Sequence, residues 1–475
     1  MGAAILSVAS LIVMAAAPAW SPEPWLADLQ CIRIAVENDY PNLEWLTGQR
    51  EVVLDRWFDR AADAIRQGHD DADARRAFDN LIERFGDGHM ALRWPTSGSV
   101  AAEGNAPILL PTSPSAFCAA RGYDAEQVTM GTAAALPGYR SINGGEPFAA
   151  GLIDTHNRRI GVIRIGVFSP MGYPALCEQA LADTQTAFDR PCDDACDDRL
   201  LTKAYDLMTS GLMQTVERLR REQAHIMLID LTRNGGGTEW AEAAARILSP
   251  VPIQSEPTYV LRGEAWVKRW RMLADELRTK ASKASPHDRS LLIDYAARAE
   301  ALADEAKPCT TTSACPRLVP AGFSSGLLAQ LPAGSLDGRE WAAKIFSPAQ
   351  FPYRDHVWKG PVILLVDDQT WSAAEQFAAL MQDNGAAIIM ETRTGGAGCG
   401  HINGNDPVTL PHSGAQLDMP NCARFRKDGS NEVSGVIPDE PTGVRWNDGP
   451  AYAGRLTAAH LQSAIAKAEA LAAHH

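Results

Sequence analysis

The sequence predicts an α/β protein: a largely parallel sheet with helical crossovers, preceded by a bundle of helices. Three observations carry this. The apolar run "HIMLIDL" (225–231) leads through "TRNGGG" into the helical run "TEWAEAAARIL". The same order recurs in "PVILLV", a loop, a helix from Ser372 ("SAAEQFAALMQDNG") and the strand "AAIIM" (386–390). Repeated strand–loop–helix units bring each strand back parallel to the last. Before them, apolar residues recur at helical spacing through residues 20–95.

The chain has 475 residues and a formal net charge of −14, with no basic stripe, which argues against a nucleic-acid partner. Its first residues, "AAILSVASLIVMAAAPAW", end in Ala17-Pro18-Ala19 and read as a secretory leader over 1–19, with the mature chain starting near Trp20. The leader lacks a Lys or Arg at its start. An uncleaved anchor is the alternative, for which the run is barely long enough. Nine cysteines fit an oxidising compartment, and the odd count leaves one unpaired. The short loops favour Cys309 with Cys315 and Cys399 with Cys422. No cluster has zinc-finger spacing.

Residues 20–95 read as a helical bundle. Leu54, Trp57, Phe58, Ala61 and Ile65 share one helical face, and Ala74, Ala77, Phe78, Leu81, Ile82 and Phe85 share another. Gly86 is placed to stop the second helix. Residues 96–158, rich in Pro, Gly and Ala, read as loops and short strands. "RIGVIRIGVF" (159–168) is a strand, and a helix lies within 198–222. The core spans 159–453, with a charged, Ala-rich helical insertion at 264–306. "DPVTLPHSGAQLDMPNCARFRK" reads as a hairpin, and an amphipathic helix occupies 454–475 from about Leu456.

In parallel sheets of this kind ligands gather at the carboxyl ends of the strands, where "TRNGGG" and "DDQTWS" both lie. Ser372 has two readings. Ser372-x-x-Glu375 before an apolar run is a capping box, in which the hydroxyl accepts an orphan N–H and the glutamate reaches back. A serine where a strand feeds a helix can equally be a nucleophile, favoured by the dipole and the free N–H groups. One residue can do both. Asn234-Gly235-Gly236-Gly237 is a tight turn on one reading. On the other it is half of an oxyanion hole, with Gly236 or Gly237 N–H paired with that of Ala373. No Gly-Lys-Ser/Thr follows, so it is not a P-loop. A nucleophilic serine needs a base. No lysine occurs between Pro361 and Arg426; of the eleven histidines, His89 and His401 stand in glycine-rich turns.

With these residues in place, "LIDLTRNGGG", "PVILLVDDQTWSAAEQFAALMQDNGAAIIMETRTGG" and "NEVSGVIPD" resemble the core of the tail-processing and tricorn-type serine peptidases. The resemblance covers roughly residues 40–95 and 159–440. It implies a crotonase-like core of stacked ββα units and a nucleophile at Ser372. The processing branch has a lysine 25 residues past its serine, where this chain has Ala397. The tricorn branch uses His and Glu instead. "LIERFGDGHMAL" is similar to its Asp-x-His segment, implying His89 as base, and "NEVSGVIPD" to its glutamate segment, implying Glu432 as the residue that orients the base. A PDZ-like module is not evident within 98–158.

The expectation is therefore a secreted or periplasmic serine peptidase acting through Ser372, His89 and Glu432. Gly236 or Gly237 and Ala373 form the oxyanion hole, and His401 is the second choice of base. Peptides or proteins are its substrates, no metal or organic cofactor is implied, and no membrane span remains after leader removal. Two rivals share the scaffold: a non-catalytic ligand binder and a crotonase-type acyl-CoA enzyme.

Overall fold

The computed structural model describes residues 20–474 apart from 96–110, 129–130, 143, 146, 156–157, 310–314, 403, 405 and 446. The expected leader lies outside the described residues. Helices α1 (Glu23–Asp39), α2 (Leu54–Gln67) and α3 (Asp71–Glu83) open the chain. Phe58, Ala61 and Ile65 of α2 are buried on the face their spacing marks, as are Ala74, Ala77, Phe78, Leu81 and Ile82 of α3. The Asp70 carboxylate caps α3 by accepting from Asp73 N at 2.8 Å. Gly86 turns the chain after α3 at φ 64°, a left-handed value that glycine adopts without strain.

The chain continues through β1 (Ala91–Arg93), α4 (Pro114–Ala119), β2 (Arg140–Ser141), β3 (Ala150–Thr155) and β4 (Arg158–Arg164). Then come α5 (Pro174–Thr184), α6 (Asp194–Arg221), β5 (Ile226–Asp230), α7 (Trp240–Leu248) and β6 (Pro257–Leu261). The insertion contributes α8 (Glu264–Lys283) and α9 (Pro286–Glu305), followed by β7 (Leu318–Phe323) and α10 (Ala342–Ile345). The second strand–helix unit is β8 (Val362–Val366), α11 (Ala373–Asp383) and β9 (Ile388–Glu391). Strands β10 (Val408–Thr409), β11 (Gln416–Asp418), β12 (Cys422–Arg424) and β13 (Glu440–Pro441) precede α12 (Pro450–Ala472). That last helix starts earlier than its periodicity suggested, because Pro450 suits the first helical turn, where no N–H is required.

Seven strands form the central sheet in the order β13-β9-β8-β5-β4-β3-β2. From β13 to β4 the pairing is parallel; β3 and β2 extend the sheet antiparallel beyond β4. The sheet is thus mixed, with the parallel part where the repeated units predicted it. Both faces are covered. Met227, Ile229, Val362, Leu364 and Val366 point into one core with Trp240 and Phe377. Their neighbours Ile226, Leu228, Ile363 and Leu365 meet Leu461 and Ile465 of α12 in another. Two buried faces are why these strands read as unbroken apolar runs rather than alternations.

Two small sheets position the rest. β12-β6-β7 carries the insertion, whose helices bury Trp266, Trp270 and Leu277 with Leu292 and Tyr295. In β1-β11-β10, β1 pairs antiparallel with β11, Ala91 opposite Asp418 and Arg93 opposite Gln416. That pairing ties the N-terminal helices to the C-terminal hairpin. Disulfides join Cys309 to Cys315 and Cys399 to Cys422, the two short-loop pairs expected, and also Cys118 to Cys177 and Cys192 to Cys196. Cys31 is free. Among the described residues no helix is long and apolar enough to cross a membrane.

Candidate active site

The loops after β5 and β8 are bonded into one unit at the carboxyl end of the sheet. Asp367 accepts from Arg233 N at 2.8 Å, the Thr370 hydroxyl donates to Leu231 O at 3.0 Å, and Trp371 N donates to Asn234 O at 3.0 Å. Held this way, Ser372 adopts φ 53° and ψ −120°, a conformation costly for any residue with a Cβ. The hydroxyl makes no capping bond to α11, so the capping box expected from Ser372 and Glu375 does not form. The reason lies in Glu375. Its buried carboxylate turns away from Ser372 to accept from the Thr394 hydroxyl, from Gly396 N at 2.8 Å, from Ala397 N at 2.7 Å and from Gly398 N at 2.9 Å. Burial, with Glu432 nearby, pushes this carboxyl up to about 7, against the donors that favour its anion.

The Ser372 hydroxyl faces His89, with Nε2 3.0 Å from Oγ. His89 Nδ1 lies 2.8 Å from Ala397 O. A carbonyl only accepts, so Nδ1 carries the proton and Nε2 is left with a lone pair toward the serine, the tautomer a base requires. His89 sits between α3 and β1. Asp87 accepts from His89 N at 3.0 Å and takes Tyr40 OH and Asn42 Nδ2, each at 2.9 Å. Burial lowers the His89 pKa below its ordinary value, opposed by the charge of Asp87. His401 stands edge-on to His89, 6.0 Å between centroids, but its Nε2 is bonded to Met419 O at 2.9 Å. The position beside Ser372 belongs to His89.

The glycine-rich loop needs a correction of one residue. Gly236 N donates to the Asn234 side-chain oxygen at 2.9 Å, so it is already committed. Among the described residues, neither Gly237 N–H nor Ala373 N–H donates within the chain, and both residues line the cleft with Ser372 and His89. Gly236 serves instead by close approach: a Cβ there would stand 2.8 Å from Ser372 Cβ.

Glu432 does not reach His89. Both its oxygens are engaged by Arg424, through Nε and, at 2.6 Å, through the terminal nitrogen. Glu256 lies on the same guanidinium, 3.2 Å from Nε. All three are buried. The expected orienting bond is therefore absent, and Nδ1 is satisfied by the Ala397 carbonyl. Arg424 also donates to Gly398 O at 3.3 Å, in the loop that carries Ala397. Sequence reading gave Glu375 only a capping role, gave Asp87 no role of its own, and missed Arg424. Asp87 had a local signal in "DGH"; the other two act through contacts that only the fold creates.

Residues 160–442 match the family model for peptidase family S41. The chain belongs to peptidase family S41. No curated protein matches it. Among solved structures it is similar to mature CPAF, at 13% identity over 95% of this chain and 98% of that one, with a TM-score of 0.61. It is equally similar to mature CPAF complexed with lactacystin, at 13% identity over 96% and 99% of the two chains, TM-score 0.61. At such identity these likenesses speak for the fold.

As an S41 peptidase the chain is a hydrolase acting on peptides or proteins. That sets aside the acyl-CoA enzyme and the non-catalytic binder. The cleft over Ser372 has a volume of about 1300 Å³. Insertion helix α8 forms one wall through Arg269, Trp270 and Leu273. The four disulfides are compatible with an extracellular or periplasmic setting.

Proposed function

We propose that this S41 peptidase is a serine peptidase in which Ser372 is the nucleophile and His89 the general base. Ser372 Oγ attacks the amide carbonyl as His89 Nε2 takes its proton. The N–H groups of Gly237 and Ala373 receive the oxyanion. His89 then hands the proton to the departing amine, and water releases the acyl group by the reverse route. The observation that carries this reading is His89 Nε2 at 3.0 Å from Ser372 Oγ, with Nδ1 committed to the Ala397 carbonyl. Glu432 acts at one remove, bracing Arg424 against the loop of Ala397 and Gly398. In this arrangement the helices of residues 20–95 bring the base, and a crotonase-like core over 159–453 brings the nucleophile.

Labelling with a fluorophosphonate tests the nucleophile. The expected result is one adduct on Ser372, lost in Ser372→Ala and strongly slowed in His89→Gln, in parallel with hydrolysis of a peptide library. Labelling that persists in Ser372→Ala refutes the assignment. Residues 1–19 serve as a secretory leader on the same reading; export followed by N-terminal sequencing should find a chain starting at Trp20.

A further inference from the structure

We propose that Glu375 is the positioning residue for the base, acting through the backbone of residues 396–398 and the Ala397 carbonyl. The inference rests on the serine peptidase reading above and adds a residue to it. In a triad a carboxylate holds the base's second nitrogen directly. Here that nitrogen meets a backbone oxygen instead, and a backbone oxygen is only as well placed as its loop. Arg424 meets this loop at Gly398 O, but the loop's N–H groups are gathered by Glu375. Glu375 Oε1 accepts from Gly396 N at 2.8 Å, and Oε2 from Ala397 N at 2.7 Å and Gly398 N at 2.9 Å. Three successive N–H groups directed at one carboxylate fix the peptide planes on both sides of Ala397. Its carbonyl is thereby aimed at His89 Nδ1, 2.8 Å away.

The same loop packs against the base from other directions. Gly88 N donates to Gly396 O at 3.4 Å. A Cβ on Gly88 would lie 2.9 Å from Ala397 Cβ, and one on Gly400 would lie 2.7 Å from His89 Nε2. The loop and the base are thus in close contact on both sides of Ala397. Glu375 stands three residues after Ser372 on the same helix, so a single rigid turn of α11 sets the nucleophile on one side and, through the loop, the tautomer of its base on the other. A glutamate that only anchored a surface loop would have no route to His89. This one reaches it in a single peptide unit.

The test is made at pH 8, where the carboxylate is ionised, on the full chain. Histidine is labelled with ¹⁵N, and the His89 signals are identified by their loss in His89→Gln. In the wild type, His89 should carry its proton on Nδ1. A proton found on Nε2 overturns the proposal without any variant, because Ala397 O could not then be its partner. In Glu375→Gln one acceptor becomes a donor facing the loop N–H groups. The expected result is a fall in kcat of about 100-fold, the scale of a small misplacement of a catalytic group. KM should stay within threefold, and the Nδ1–H signal should be lost or split between tautomers. A folded Glu375→Gln with wild-type kcat and an unchanged Nδ1–H signal overturns it. Should Glu375→Gln fail to fold, Glu375→Asp keeps the charge with a shorter reach. A displaced signal with reduced kcat supports the relay, and an unchanged pair of readings refutes it. If the wild type cleaves no peptide at all, the peptidase reading fails, while the tautomer measurement still decides the relay.

Discussion

Replacing Ser372 by glycine should kill the enzyme without destabilising the fold. A serine at φ 53°, ψ −120° carries backbone strain, on the order of 1–3 kcal/mol for such conformations. Glycine is free of that strain and costs about 0.5–1 kcal/mol in extra chain entropy. The difference favours Ser372→Gly by about 1 kcal/mol, from which the lost bond to His89 takes up to about 1 kcal/mol, leaving this variant level with the wild type or slightly above it. Ser372→Ala keeps the strain and loses only the bond to His89, a net of about 1 kcal/mol at most. The order of stability is therefore glycine above or level with serine, and serine above or level with alanine. A capping serine gives a different first step, since glycine at a cap costs a few tenths of a kcal/mol relative to serine. The sign of the glycine change thus separates the two geometries. At about 2 cal/mol/K of unfolding entropy per residue over roughly 450 residues, 1 kcal/mol moves Tm by about 1 °C. Calorimetry on the three proteins, run side by side, resolves this. Both variants should lose about 10⁶ in kcat. A Ser372→Gly protein melting below the wild type would refute the strained-turn argument.

Four other outcomes follow from the site. Glu432→Gln leaves the buried Arg424 guanidinium with Glu256 as its remaining carboxylate, so it should cost about 3 kcal/mol of stability as well as turnover; urea denaturation with an unchanged midpoint would contradict this. Activity requires neutral His89, so kcat/KM should rise with pH through a midpoint below the ordinary histidine value of about 6.5, since burial lowers it. Asp87→Asn removes the charge that favours the imidazolium and should move that limb to still lower pH; a shift upward would refute the assignment. Gly237→Ala puts a Cβ 2.5 Å from the Phe168 backbone. It should displace an oxyanion donor and lower kcat by about 10²–10³, whereas single-turnover rates like those of the wild type would remove Gly237 from the hole.

The parallel strands were legible because burial on both faces leaves a run such as "PVILLV" no polar position. Local context narrowed the choice to Ser372 and to His89 or His401, and the family resemblance singled out the pair that meets at 3.0 Å. Their neighbours were not legible. Ser-x-x-Glu reads identically whether the glutamate returns to the serine or turns to a loop twenty residues on, and only the position of residues 394–398 decides. Gly236 and Gly237 are alike in sequence; the side chain of Asn234 separates them. "NEVSGVIPD" pointed to Glu432 as the residue orienting the base, yet its carboxylate is held by Arg424 of strand β12. Cys399 and Cys422 could be paired from a short loop, whereas Cys118 and Cys177 lie 59 residues apart and meet only through folding.

The pairing of β1 with β11 has a consequence in time. The base lies near the start of the chain and the nucleophile 283 positions later, and the hairpin that docks the first against the second comes later still. A ribosome has released most of the chain before β11 exists to receive β1. On the proposed mechanism, Ser372 until then lacks the imidazole that would take its proton, and the unfinished polypeptide would not attack itself or its neighbours. On that reading the pairing of β1 with β11 also serves as a safety catch. Closing it is among the costliest steps in chain entropy, so the ability to cut is acquired together with the completed fold.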